Sequence, residues 1–163
     1  MRAVLPLLAV VILVSGCQQP SHLGVTPLPQ ASSTTAHDRF LVMEVSLRYL
    51  FDKFPDNGPS PHFSAYVLET GEFTSELVEA FRGYRPTVTA SIEVVSDSGE
   101  ALDKATGRPV RLWSVEVREL RGDRATAFVT WHYANLAAGG HTVQLQRQDG
   151  RWVVTSEKMD WVS

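Results

Sequence analysis

The sequence predicts an α+β domain in which an N-terminal helix and a short second helix pack on a curved antiparallel sheet of about four to six strands. Apolar residues recur every three or four positions over residues 40–54, and the period changes to two from residue 87 onward. The chain has 163 residues, 44% hydrophobic and 9% aromatic, with a net charge of -3. This composition fits one packed domain, and it excludes a disordered polyelectrolyte and a strongly basic nucleic-acid binder.

The first helix is predicted to begin near Thr35 and to end before Pro55. Thr35 and Asp38 resemble a capping box, with Asp in place of the usual Glu. A second helix is predicted around residues 73–82, where Gly83 provides a C-terminal stop. The apolar stripe of the first helix consists of Phe40, Met43, Leu47, Leu50, Phe51 and Phe54.

Alternating apolar and polar residues predict an antiparallel meander over the rest of the chain. Gly122-Asp123, Gly139-Gly140 and Asp149-Gly150 are predicted as turns between its later strands. The predicted strands cover residues 87–94, 113–118, 125–136, 142–148 and 151–162.

The last hairpin is the most sharply predicted element. Asp149-Gly150 between two alternating runs indicates a two-residue turn, which places Leu145 opposite Val154 and Arg147 opposite Trp152. One face of this hairpin is therefore apolar and packs on the first helix. The other face is polar and carries Gln144, Gln146 and Thr155.

The first seventeen residues have the layout of a secretory signal. A positive Met1-Arg2 start precedes an apolar run of about 12 residues, whereas a helix needs roughly 20 to cross a bilayer. The following Val14-Ser15-Gly16-Cys17 resembles the lipobox of bacterial lipoproteins. The resemblance implies that Cys17, the only cysteine, is lipidated and that the chain is cleaved before it. The alternative is an ordinary signal peptide cut elsewhere, with Cys17 incidental.

The lipobox divides the chain into three parts. Residues 1–16 form the signal peptide, residues 17–36 form the lipidated cysteine with a flexible Pro/Ser/Thr tether, and residues 37–163 form one α+β domain. The resemblance implies a lipid-anchored protein of the cell envelope, whose partner is the bilayer. Gln18 directly after the cysteine points to the outer membrane, facing the periplasm, if the host is Gram-negative.

The predicted domain also resembles known proteins. Its order of elements is similar to the cystatin-like or nuclear-transport-factor-two-like plan. Asp103-Lys104-Ala105-Thr106-Gly107, Trp131-His132-Tyr133 and the closing residues 159–163 resemble a group of small uncharacterised bacterial proteins. This second resemblance runs from about Phe63 to the end, and it implies a fold but no activity.

His132 is the main candidate for acid–base chemistry. A three-residue loop within residues 136–140 would place Trp131 opposite Leu145 and His132 on the polar face, whereas a two-residue loop would place His132 in the core. The three-residue loop is favoured because it buries the apolar side chains at every second position together, namely Ala127, Val129, Trp131 and Tyr133. Asp160, on the last strand, could orient such a histidine, although a solvent-facing role is the commoner one for a charge there.

The remaining residues offer no metal or cofactor site. His132 and His141 are expected to lie roughly 13 Å apart along one hairpin, too far to share a metal. Four tryptophans on adjacent strands are ordinarily core residues, but they could line a ligand-binding hollow if the sheet curls away from the helix. These are Trp113, Trp131, Trp152 and Trp161.

Taken together, these features favour a non-enzymatic envelope lipoprotein that binds an envelope protein or a small ligand. The alternative is a small hydrolase or isomerase with a pocket around His132, Asp160 and the tryptophans. An immunity or chaperone-like subunit that docks a protein on the exposed sheet face is a third hypothesis. A solvated strand face is predicted for the basic residues Arg108, Arg111, Arg118, Arg121 and Arg124.

Overall fold

A computed structural model describes residues 33–56 and 62–163. Within these ranges it contains two helices and eight strands in one mixed sheet, so the predicted α+β class is confirmed while the predicted strand count is too low. The predicted signal peptide, the lipobox with Cys17 and most of the predicted tether lie outside the described residues. The elements are α1 (Ser33–Lys53), β1 (Ala65–Leu68), α2 (Thr74–Ala80), β2 (Thr87–Thr89), β3 (Val94–Asp97), β4 (Glu100–Asp103), β5 (Val110–Arg121), β6 (Arg124–Ala134), β7 (Ala137–Gln148) and β8 (Arg151–Val162).

Helix α1 buries its apolar stripe and ends before Pro55, as predicted. The predicted cap is wrong, because the chain is already helical at Ser33 and Thr35 lies inside the first turns. Asp38 instead contacts the far end of the sheet, where it pairs with Arg147. Neither helix in the described part of the chain is long and apolar enough to cross a membrane. Phe40 and Phe54 at the two ends of the stripe are partly buried, whereas its other four side chains and the neighbouring Val42 are 0 to 2% exposed: Val42, Met43, Leu47, Leu50 and Phe51.

The sheet is mixed rather than wholly antiparallel, which corrects the predicted meander. Hydrogen-bonded neighbours run β2-β1-β5-β6-β7-β8, and β3 joins through β4, which pairs with the end of β6. Strand β1 pairs in parallel with both β2 and β5. Helix α2 lies between β1 and β2 along the chain and provides the crossover that these two parallel neighbours require. The four long strands from β5 to β8 pair antiparallel, as the alternating pattern predicts.

The inner face of the long strands packs on helix α1, and the side chains between helix and sheet form the main core. The alternation predicted for β5 is confirmed, since Trp113, Val115 and Val117 are 1 to 6% exposed. Side chains from the next three strands complete this core: Ala127, Val129, Val143, Leu145 and Trp152.

The β7–β8 hairpin has the predicted turn and register. Asp149 and Gly150 both have positive φ, 50° and 77°, as a two-residue turn of this kind requires. Leu145 lies opposite Val154 and Arg147 opposite Trp152. The three polar residues predicted for the outer face, Gln144, Gln146 and Thr155, are exposed.

The single strand predicted over residues 87–94 is wrong. Only Thr87–Thr89 is extended there, and Val94 begins a separate hairpin of β3 and β4 that turns at Ser98 and Gly99 with φ values of 51° and 86°. Val94 and Ala101 of this hairpin pack on the outer face of the sheet. A small second core forms because apolar side chains of β1 and β5 also face outward, namely Ala65, Val67, Val110 and Leu112.

Both registers proposed for the β6–β7 hairpin are wrong. Strand β7 begins at Ala137, so Trp131 lies opposite Gly139 and His132 opposite Ala138. Gly139 and Gly140 are inside the strand rather than in a turn. A Cβ at Gly139 would lie 2.8 Å from the Trp131 ring, and a Cβ at Gly140 would lie 2.8 Å from Cε2 of Trp161. These glycines make room for two indole rings on opposite faces.

Candidate functional site

The structure places His132 and Asp160 apart. His132 is exposed on the outer face, in the wall of an open groove of about 560 Å³ beside the β3–β4 hairpin. Asp160 lies on β8, where its carboxylate accepts a hydrogen bond of 2.6 Å from Thr142 and pairs with Lys158 at 3.4 Å. These contacts lower the pKa of Asp160, with the Thr142 hydrogen bond as the largest cause. The two residues do not form a dyad.

The four tryptophans occupy three different places. Trp113 and Trp131 lie opposite each other on the inner face of β5 and β6. Trp152 is buried at the other end of the core, where its Nε1–H donates to Asp38 at 3.4 Å. Trp161 is 44% exposed and packs over Gly140 on the outer face. They therefore do not line one common hollow.

A chain of polar contacts runs from the exposed Lys53 at the end of α1 to buried side chains of the sheet. We call its four residues, Lys53, Trp131, His141 and Glu157, the histidine network. Trp131 donates from Nε1 to Nε2 of His141 at 3.2 Å, so the proton of the neutral imidazole is on Nδ1. That Nδ1–H donates to Oε1 of Glu157 at 2.5 Å. Lys53 donates to the other carboxylate oxygen. The side chains of His141 and Glu157 are 0% and 4% exposed.

Glu157 remains ionised in this environment. Burial on its own would raise the pKa of the Glu157 carboxyl, but the hydrogen bonds from Lys53 and His141 bring it below its ordinary value. The same hydrogen bond raises the pKa of the Lys53 ammonium against the opposing effect of desolvation. Both ring nitrogens of His141 are engaged, so the imidazole has no free atom with which to bind a metal or accept a proton in this arrangement.

A second cluster surrounds Arg111 at the start of β5. We call Arg111 and its five ring neighbours the arginine cage. The guanidinium carbon lies between 4.2 and 5.9 Å from each ring centroid, with Phe63 the nearest. The predicted solvated position of Arg111 is therefore wrong, because it shares the inner face with Trp113 two residues later. The ring neighbours are Phe63, Tyr66, Trp113, Trp131 and Tyr133.

Three polar atoms in the arginine cage are buried without a hydrogen-bond partner. They are Oη of Tyr66, Nε of Arg111 and Nε1 of Trp113. Burial raises the pKa of the Tyr66 phenol to about 12, which Arg111 partly opposes. Burial also lowers the pKa of the Arg111 guanidinium, against the effects of Tyr66 and Asp56. Buried donors of this kind are rare in folded proteins and call for a specific explanation.

Trp131 belongs to both clusters. Its ring faces Arg111 at 5.3 Å, and its indole N–H binds His141. A change at Glu157 or His141 can therefore reach the arginine cage through one rigid side chain. No group of three or more His, Cys, Asp or Glu side chains in residues 33–56 and 62–163 is arranged to hold a metal ion.

Sequence reasoning missed both clusters, although part of the signal was present. Arg111, Trp113 and Val115 occupy every second position of one strand, so alternation places a charge on an otherwise apolar face. The predicted registers pair His141 near Leu136, whereas it lies opposite Val129 and Met159. Alternation does not predict that Glu157 lies beside His141, because this contact depends on register shifts in the pairing of β7 with β8.

No protein-family model, no characterised protein and no solved structure matches this chain.

Proposed function

We propose that this chain is a lipid-anchored protein of the cell envelope whose folded domain is a binding module. The observation that carries the proposal is Val14-Ser15-Gly16-Cys17, which ends a signal-like segment and contains the only cysteine. A diacylglyceryl group on Cys17 would attach the chain to a bilayer. In a Gram-negative host Gln18 favours the outer membrane, with the domain facing the periplasm.

The segment after Cys17 suits a spacer between lipid and domain. Residues 18–32 carry no charge and contain three prolines, a composition typical of spacers. A flexible chain of this length spans on the order of 20 Å. Helix α1 is already formed at Ser33, so the last four residues of the predicted tether belong to the domain instead.

Binding is supported over catalysis by the state of the polar side chains in the core. The best-aligned histidine–carboxylate pair, His141 and Glu157, has both ring nitrogens engaged. The arginine cage, in contrast, retains a cation and three donors that have no partner. Unused donors are what a binding site offers to a ligand.

The anchor is tested by labelling cells that express the full chain with radioactive palmitate. We expect label in the wild-type protein and its recovery with membranes, whereas Cys17→Ser should carry no label and leave the membrane fraction. Ser21→Ala, a change in the spacer, is the matched control and should be labelled normally. Label that persists in Cys17→Ser would show that the anchor is elsewhere and would overturn the proposal.

A further inference from the structure

We infer that the arginine cage binds the carboxylate of a small organic acid whose body is aromatic or otherwise apolar. This inference deepens the proposed function and rests on it for the setting in the envelope.

Arg111 is a partly buried cation that forms no direct ion pair with an acidic side chain in residues 33–56 and 62–163. Residues 1–32 and 57–61 contain no Asp or Glu, and none of the acidic residues in the described part forms an ion pair with Arg111. Asp56 is the acidic residue whose charge acts on Arg111. Its two carboxylate oxygens accept hydrogen bonds from the backbone N–H groups of His62 and Phe63, at 2.9 and 2.7 Å. A bound anion would supply the missing counter-charge.

The three side chains that carry the unpartnered donors are neighbours in space. The Tyr66 and Trp113 rings are 5.8 Å apart between centroids, and the Arg111 guanidinium carbon lies 5.9 and 5.8 Å from these two rings. Tyr66 and Trp113 are 0% and 1% exposed, so water from bulk solvent does not satisfy them. One acceptor group that reaches all three residues would satisfy O–H and N–H groups that are otherwise costly to bury.

The cage walls decide which anion fits. A carboxylate has two in-plane oxygens that match the donors of a guanidinium, and each oxygen can accept a further hydrogen bond. Phe63, Trp131 and Tyr133 provide ring surfaces that favour an apolar body over a strongly hydrated inorganic ion. Tyr133 and Arg111 are only partly buried, so this end of the core is the side from which a ligand can enter.

The test uses the full chain in a mild detergent and benzoate as the probe. We expect saturable quenching of tryptophan fluorescence, with a dissociation constant near or below about 1 mM, and shifts in the indole N–H resonances of Trp113 and Trp131. Benzamide, which lacks the charge, should bind at least about tenfold more weakly. Absence of saturation with benzoate, equal binding of benzamide, or tighter binding of inorganic phosphate would each overturn the inference.

Variants locate the site. Arg111→Met should weaken benzoate binding at least about tenfold, and Tyr66→Phe about three- to tenfold. Arg118→Met is the matched control, because Arg118 also stacks on a ring, that of Phe128 at 3.6 Å, but on the outer face. Its benzoate affinity should equal that of the wild type. Unchanged binding in Tyr66→Phe, which removes only one hydroxyl, contradicts the site even if Arg111→Met does not fold.

The two proposals fail separately. Cys17→Ser should bind benzoate as the wild type does, since the cage lies in the folded domain. A wild-type chain that binds benzoate but carries no palmitate label would therefore reject the anchor alone. Normal labelling without benzoate binding rejects the carboxylate site and leaves the anchor in place.

Discussion

His141 donates a hydrogen bond of 2.5 Å from Nδ1 to Glu157, and both side chains are almost completely buried. The indole N–H of Trp131 on the other ring nitrogen fixes the tautomer. The histidine is therefore neutral, and the charge balance of the network lies between Glu157 and Lys53. The stability of the fold depends on this buried carboxylate keeping its partners, because removal of any partner leaves a polar group in the core unpaired.

We predict that Glu157→Gln lowers the free energy of unfolding by about 2 kcal/mol at pH 7, since it removes charge-assisted hydrogen bonds from Lys53 and His141. The pKa of Glu157 is below its ordinary value of 4.5 in the folded state. Its contribution to stability is thus present above pH 4.5 and is lost as the pH falls through the folded pKa. Urea unfolding experiments at pH 7, 5 and 3 should show that the difference in the free energy of unfolding between variant and wild type shrinks as the pH falls.

Glu93→Gln is the control for this prediction. Glu93 pairs with Lys104 at 2.6 Å, but both side chains are more than half exposed, so the loss should be small. A difference between Glu157→Gln and wild type that is constant from pH 7 to pH 3 would contradict the ionised state assigned to Glu157.

The position of Glu157 could not be predicted from alternation. The β7–β8 register from the Asp149-Gly150 turn would place Glu157 opposite Thr142, on the outer face. A bulge between Gln144 and Leu145 shifts the pairing by one residue, so Glu157 lies opposite Val143 and points inward. The pattern of apolar residues identifies the strands and their buried faces, but one extra residue in an edge strand leaves no comparable trace in the sequence.

Part of the arginine cage can be predicted from the sequence. Alternation predicts the apolar face for Trp113, and Arg111 shares that face two residues earlier. For Trp131 the sequence leaves two faces open, and the favoured one is the observed face although its register is wrong. Phe63 and Tyr66 could not be assigned to the same cluster, because they join it through the parallel pairing of β1 with β5. Such a pairing between segments more than 40 residues apart is set by tertiary packing and not by local pattern.

We predict that Gly140→Ala lowers the free energy of unfolding by about 2 kcal/mol, because the new Cβ would displace Trp161 or Phe128 from the outer face. Thermal unfolding followed by circular dichroism measures the loss, and the fluorescence of exposed Trp161 should change as well. Gly71→Ala is the control, since a Cβ there meets no atom within 4 Å. Equal stability of the two variants would contradict the close packing of β7 under Trp161.

We predict that Asp38 and Arg147 are energetically coupled, which ties the first turns of α1 to the β7–β8 hairpin. Asp38 also accepts from Trp152, and Arg147 stacks on that ring at 4.8 Å. Asp38→Ala and Arg147→Met should each cost about 1–2 kcal/mol. A double-mutant cycle measured by urea unfolding should give a coupling of about 1 kcal/mol, whereas strictly additive losses would show that the ion pair contributes nothing.

We predict that Tyr66 makes the fold sensitive to alkali. Burial, the largest cause, raises the pKa of its phenol to about 12 from 10.0, so the folded state keeps a proton that the unfolded state releases. The stability from this group is complete below pH 10 and is lost as the pH rises through about 12. Absorbance titration of Tyr66→Phe should lack one late-ionising phenol, and its stability should fall less between pH 10 and 12. Tyr49→Phe, a change on the exposed side of α1, should keep the late phenol. If Tyr66→Phe titrates as the wild type does, the phenol is not buried.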